Sequence, residues 1–180
     1  MSGSLRINCR QETATDYQAV FALIERAFEN EPMSDHQEQF LVERLRKSDA
    51  FVPQLSLVAE MGDKIIGYIL LTKIQIQNKN VHFDSLALAP VAVLPEYQGQ
   101  GVGGTLIRTA HDKACQLGHG SVVLLGHETY YPKFGYRPAH LFGISLPFEV
   151  PKENCMAVEL IEGTLDRVSG TVVYPSVFFG

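Results

Sequence analysis

The chain is poor in the features that mark several classes of protein. Its 180 residues hold three cysteines, Cys9, Cys115 and Cys155, with no paired spacing and one left over. That excludes a disulfide framework and leads us to expect a reducing, cytoplasmic setting. Positive charge is scarce, with 15 Lys and Arg against 20 Asp and Glu for a net charge of −5. Nucleic-acid binders usually carry a basic face, so no nucleic-acid partner is expected. The longest apolar run, Leu86–Pro95, is too short to cross a bilayer. The opening Met1–Arg6 has no apolar segment of the kind a secretory leader needs, and no membrane association is expected. There is no repeat, low-complexity tract or linker, and 46% hydrophobic residues suffice for a core, so a single domain over 1–180 is expected. Metal ligands are sparse as well. His82-x-Asp84 supplies two ligands at most, and His36, His111, His119 and His140 show no ligand spacing, so no metal is expected.

What the chain does have is a glycine-rich turn, Leu94-Pro95-Glu96-Tyr97-Gln98-Gly99-Gln100-Gly101-Val102-Gly103-Gly104, between an apolar strand pattern and a helix pattern. Such a turn leaves backbone N–H groups unpaired and pointing into one volume. The helix dipole adds partial positive charge there, so the site suits phosphate. Glycines matter because a Cβ would hold a diphosphate off the backbone or forbid a positive φ.

The rest of the pattern alternates strands and helices. Leu5–Gln11 alternates as a strand with one buried face, and Thr13–Asp16 reads as a capping box opening a helix to about Phe28. Ser34-Asp35-His36-Gln37 reads as a second box, opening a helix to about Lys47. Leu55–Met61 and Ile65–Ile76 form strands around a Gly62-Asp63 hairpin turn. Val81–Val93 is the next strand, and its continuous apolar half from Leu86 predicts a central position. Thr105–Leu117 carries a helical stripe of Leu106, Ala110, Ala114 and Leu117, closed by Gly118-His119-Gly120. Ser121–Leu125 follows as a short buried strand, completing a parallel crossover. Further strands are expected near 136–139, 155–161 and 170–174. Pro90 interrupts a strand that otherwise reads as central; a bulge there would splay it from Ser121–Leu125 and leave backbone groups of Val91, Ala92 and Val93 without strand partners.

Gly99-x-Gly101-x-x-Gly104 also satisfies the dinucleotide-binding pattern, with Glu128 as a ribose-binding acid. Its context fails. Leu94–Gln98 intervenes between strand and first glycine, and no second βαβαβ half follows.

Gln98-x-x-Gly101-x-Gly103 instead resembles the Gln/Arg-x-x-Gly-x-Gly/Ala signature of GNAT-type N-acetyltransferases, and Tyr130-Tyr131-Pro132-Lys133-Phe134-Gly135-Tyr136 resembles that superfamily's Tyr-x-x-Phe-Gly-Phe element. The tail, with Glu159-Leu160, Gly163-Thr164-Leu165 and Gly170-Thr171-Val172-Val173-Tyr174-Pro175, is similar to the YhbS-like bacterial branch. The resemblance implies an α/β (α+β) fold with a mixed, mainly antiparallel central sheet flanked by helices and splayed near Pro90, its motif core at about 50–140. It implies acetyl transfer from acetyl-coenzyme A to a primary amine, small molecule or peptide, in a ternary complex, and a homodimer. The pyrophosphate would lie at Gln98, Gly99, Gln100, Gly101, Val102, Gly103, Gly104 and Thr105, and pantetheine along Val91, Ala92 and Val93. Tyr131 takes the position of the family's general acid; a phenol near pKa 10 stays protonated at neutral pH.

No base is evident. The strand positions where some relatives carry Glu or His are Ala87 and Ala89 here. Asp84, sharing a strand face with His82, is the candidate, with His127 and Glu128 behind it; a water relay or an amine arriving neutral would serve equally. The same absence leaves open a catalytically inactive module that binds coenzyme A or an acyl-coenzyme A.

Overall fold

The alternation at the start of the chain forms β1, Ile7–Gln11, in the computed structural model, which describes residues 6–180. Leu5, expected in this strand, and the Met1–Leu5 stretch read for a leader lie outside the described residues. Then come α1 (Tyr17–Phe28), α2 (Glu38–Arg46), β2 (Phe51–Met61), β3 (Lys64–Asn78), β4 (Val81–Val93), α3 (Val102–Gln116) and β5 (Ser121–Leu125). Short strands β6 (Arg137–Pro138), β7 (Ile144–Ser145), β8 (Cys155–Glu159) and β9 (Gly170–Val173) finish the order, with 3-10 turns between them.

Among the described residues the nine strands join one sheet in the order β1-β2-β3-β4-β5-β8-β6, with β9 on the far end of β3 and β7 on β9. It is mixed and mainly antiparallel: β4–β5 and β7–β9 are its parallel contacts. The apolar run of β4 is central, as its burial on both faces requires, with Ser85–Leu88 fully covered. α3 packs on one face. Gly67 of β3 makes this close approach possible, since a Cβ there would lie 2.9 Å from both Val102 and Leu106.

The first capping box forms: Asp16 Oδ2 accepts the Thr13 N–H at 2.7 Å. The second does not open its helix where expected. The Ser34 hydroxyl accepts the His36 N–H at 2.9 Å, and Asp35 Oδ1 accepts the Gln37 N–H at 2.9 Å. These local turns, with His36 at φ 60°, hold the chain out of helical geometry, and α2 begins only at Glu38. α3 starts three residues before the expected Thr105, because Gly103 and Gly104 lie inside its first turn. β2 starts at Phe51 and reaches regular register only from Ser56.

Beneath α2 the core contains an ion pair. Arg46 Nε and Nη2 donate to the two Glu12 carboxylate oxygens at 2.9 and 2.8 Å, and the Ser56 and Tyr68 hydroxyls complete the network. With every partner satisfied, the charges are tolerated in an apolar setting. Among the described residues no helix is long and apolar enough to cross a membrane, and all three cysteines are free.

Candidate active site

The site grows out of one irregularity in β4. The β3–β4 register runs Leu71↔Leu88 and then Ile69↔Val91, so Ala89 and Pro90 together face Leu70. Pro90 has no N–H to give a ladder, and the strand bulges there. On the other edge, β4 pairs β5 only at Leu86↔Val122 and Ala87↔Val123. Beyond that vertex the two strands part.

The gap presents backbone groups. The Leu94 N–H donates to Ile66 O at 2.9 Å, so alternation turns the peptide groups of Ala92 toward β3 and those of Val91 and Val93 into the gap. The expected trio is therefore a pair. Ala92 is buried in the core with its backbone paired.

The glycine loop closes one end of the gap. Gly99 (φ 76°) and Gly101 (φ 84°) have open space where a Cβ would lie, so their conformation is what requires glycine. Gly103 and Gly104 have ordinary φ, and side-chain ends crowd the space beside them. A Cβ on Gly103 would sit 2.8 Å from Tyr130 Oη, and one on Gly104 3.1 Å from Arg108 Nη1. Gly101 caps α3 with no side chain, and the first intrahelical bond is Thr105 N–H to Gly101 O at 3.0 Å. The N–H groups of Val102, Gly103 and Gly104 are left without helical acceptors at the positive end of the dipole.

Loop side chains brace this cradle. Gln98 Nε2 donates to Val93 O (3.1 Å), Gln100 Nε2 to Glu96 O (3.1 Å) and Thr105 Oγ1 to Gly101 O (2.9 Å).

The far wall comes from the 3-10 turn Tyr131–Phe134 after β5. Gly126 leaves room for the Tyr131 ring at the end of β5, where a Cβ would collide with it. The ring is 8% exposed and packs edge-on against Tyr130 and Tyr136, with centroids 5.0 and 5.8 Å away. Among the described residues its hydroxyl has no hydrogen-bond partner, and burial pushes its pKa well above the ordinary phenol value. Tyr136 in turn is fixed by His111, whose Nε2 lies 2.8 Å from its hydroxyl. Burial lowers the His111 pKa to about 4, so the ring is neutral at pH 7.

Val91, Val93, Gln98, Gly99, Gly101, Val102, Gly103, Gly104 and Tyr131 thus line one cavity of about 500 Å³. Ala92, Gln100 and Thr105 lie outside its lining. Arg108, His127, Tyr130, Lys133, Phe134 and Tyr97 line it too. Sequence reasoning passed over Arg108 and Lys133. The signal was present: Lys133 is a cation inside the Tyr130–Tyr136 motif, and Arg108 is a cation one turn beyond the glycine loop, in an acidic chain. His127 Nε2 stands 3.8 Å from Glu31 Oε1, which brings the α1–α2 connection close to the cavity rim.

Asp84 is elsewhere. It is exposed, accepts a hydrogen bond from Gln75 Nε2 at 3.3 Å, and lines a second cavity of about 830 Å³ with His119 and Leu117–Gly120. That cavity is at the opposite end of α3, roughly 20 Å from the cradle by helical rise. The structure does not bring Asp84 and Tyr131 together. His82 is exposed beside it, Glu128 is exposed in the loop after β5, and the vertex itself offers only Ala87 and Ala89. Among the described residues no cluster of three or more His, Cys, Asp or Glu could hold a metal ion.

Comparison with known proteins agrees with this geometry. The acetyltransferase (GNAT) domain family matches residues 8–139. YhbS of Escherichia coli K12, an uncharacterized N-acetyltransferase, is 29% identical over 170 residues, 94% of this chain and 96% of that protein. YjhQ of the same strain, also an uncharacterized N-acetyltransferase, is 41% identical over 115 residues; the match spans 63% of this chain and 64% of the length of YjhQ. The crystal structure of E. coli YhbS in complex with CoA superposes with a TM-score of 0.89 at 26% identity, covering 100% of this chain and 96% of that one. A GNAT family acetyltransferase from Brucella melitensis in complex with acetyl-CoA gives 0.79 at 28% identity, covering 97% and 99%.

Proposed function

Because the chain belongs to the GNAT acetyltransferase family, and so to the acyltransferases, we propose that it moves an acetyl group from acetyl-coenzyme A to a primary amine by direct transfer in a ternary complex. The observation that carries this reading is the cradle at the start of α3: three N–H groups without helical acceptors, two left-handed glycines leading into them, and a strand gap leading away from them. A diphosphate fits the first, and an amide-bearing arm pairing with the Val91 backbone and the Val93 N–H fits the last, the Val93 carbonyl being held by Gln98. The relatives crystallised with CoA and acetyl-CoA support the same ligand.

In this reading the amine nitrogen attacks the thioester carbonyl carbon at the β4–β5 vertex. The C–S bond breaks as the tetrahedral species collapses, and the departing thiolate takes the Tyr131 Oη proton. The buried Tyr131 ring keeps its proton until that step, since its pKa is raised and its hydroxyl is committed to no other group among the described residues. The amine proton passes to water, and the Tyr131 phenolate takes a proton back from water, so the cycle ends with a neutral Tyr131, free thiol and amide. With Ala87 and Ala89 at the vertex, the amine arrives neutral or hands its proton to solvent, so turnover rises with pH toward the amine pKa.

The test is release of free thiol from acetyl-coenzyme A with a panel of primary amines. Turnover with at least one amine is expected, and Tyr131→Phe should lower it by about 10²–10⁴-fold while leaving coenzyme A affinity nearly unchanged. Tight coenzyme A binding with no turnover across the panel would favour the binding module instead. That reading draws on the same bare vertex.

A further inference from the structure

The cavity holds more positive charge than a diphosphate cradle calls for. Arg108, one turn beyond Gly104 on α3, turns its guanidinium back toward the helix start and lies 5.1 Å from the Phe134 ring centroid. Lys133 places Nζ 4.1 Å from the Tyr130 centroid and 5.5 Å from that of Phe134. The two cations therefore converge on one aromatic edge of the cavity. Neither has a carboxylate partner among the described residues, and no Asp or Glu lines the cavity. In a chain of net charge −5, two unpaired cations at one opening mark a place built for an anion.

The backbone already serves the diphosphate. Its donors are the N–H groups at Val102, Gly103 and Gly104, which need no side-chain charge. A coenzyme A thioester carries one further anionic group, the phosphomonoester on the ribose 3′ oxygen. It has a second pKa near 6 and is close to a dianion at pH 7, unlike the diphosphate oxygens, which carry about one charge per phosphorus. A guanidinium and an ammonium together match a dianion, and the aromatic faces over which they lie leave N–H groups on their other side free to donate.

We propose that Arg108 and Lys133 form a second anion subsite that takes the 3′-phosphomonoester of the cosubstrate, and that the enzyme thereby selects coenzyme A thioesters over those lacking this phosphate. The proposal rests on the coenzyme A reading above. It assigns a selecting role to two residues outside the glycine loop. It also gives the 3-10 turn that carries Tyr131 a second task, since Lys133 and Phe134 belong to the same turn. Ligand recognition and the proton donor are thus set by one short segment.

Titration calorimetry with coenzyme A and with 3′-dephospho-coenzyme A tests this on the wild type, Arg108→Gln, Lys133→Gln and the double variant. Both side chains are exposed, so each variant should fold, which thermal unfolding checks. Wild type should bind coenzyme A about 10- to 100-fold more tightly than the dephospho form, as charge-assisted bonds to one phosphate imply. The double variant should bind the two ligands equally, at the affinity the wild type shows for the dephospho form. Equal wild-type affinities would overturn the subsite. So would a double variant that weakens both ligands by the same factor, which would assign the cations to the diphosphate. No binding of either ligand would instead sink the coenzyme A reading on which the subsite depends.

Discussion

The two ends of α3 each open onto a cavity, and they are finished in opposite ways. At the C-terminal end the His119 N–H reaches Ala114 O at 3.0 Å and the Gly118 N–H reaches Cys115 O at 3.0 Å, with Gly118 at φ 89°. This is a Schellman closure, and it satisfies the Ala114 and Cys115 carbonyls. At the N-terminal end Gly101 supplies no capping side chain, and the first N–H groups have no helical acceptor. The larger cavity, about 830 Å³, adjoins the closed end, and the smaller, about 500 Å³, the open one. Unmet hydrogen-bonding capacity, rather than volume, distinguishes the end proposed to bind the cosubstrate, because an orphaned donor gains from a ligand and a satisfied carbonyl does not.

The largest effect should come from reversing the charge preference of the open end. Gly103→Asp places a carboxylate where phosphate charge belongs and a Cβ against Tyr130 Oη. Coenzyme A affinity by calorimetry should fall by about a hundredfold or more, given the worth of charge-assisted bonds. The flexible Tyr130 side chain can yield, so the fold should persist. Unchanged affinity in a folded protein would remove the cradle from the account.

Midway along the same helix, His111 should impose a pH dependence on stability. Its pKa is lowered from 6.5 to about 4 by burial, so the folded state holds fewer protons than the unfolded chain between those values. Stability is complete above pH 6.5 and falls as pH drops toward 4. The loss is at most about 3 kcal/mol, and less because the ring is only partly buried. Thermal unfolding at pH 7 and pH 5 should show a larger drop in wild type than in His111→Gln. Equal drops would show that His111 titrates normally.

Asp84→Ala, at the rim of the larger cavity, should do least: acetyl transfer within about twofold of wild type, as for other exposed substitutions away from a site. A loss of two orders of magnitude in a folded protein with normal coenzyme A affinity would bring the closed end into the chemistry.

Much of this was legible in the residues. The glycine loop, the proline in an apolar strand and the Tyr131 turn each combine a strong local preference with a single structural consequence, and the structure has all three. Boundaries were less legible. Gly103 and Gly104 read as loop because glycine is a poor helix former, yet they occupy the first turn of α3, where close approach outweighs propensity. Ser34–Gln37 read as a cap because its residue types suit both a capping box and the turns it makes. Asp84 and His82 share a strand face in the sequence, but only the β4–β5 ladder fixes which end of the strand meets the splay. The roles of Val91 and Val93 as against Ala92 depend on hydrogen-bond parity with β3, which no residue type encodes.

The central claim is that the open end of α3, and not the closed one, holds the cosubstrate, and a matched pair of substitutions tests it most directly. Gly101 and Gly118 both have left-handed φ, 84° and 89°, and neither has an atom within 4 Å of where a Cβ would lie. Alanine at either position should therefore cost a similar amount, about 1 kcal/mol of stability, through backbone strain alone. Calorimetry should then find coenzyme A affinity lowered by about tenfold in Gly101→Ala, as the strained loop misaligns its charge-assisted donors, and unchanged in Gly118→Ala. Equal losses at the two ends, or a loss only in Gly118→Ala, would contradict the account.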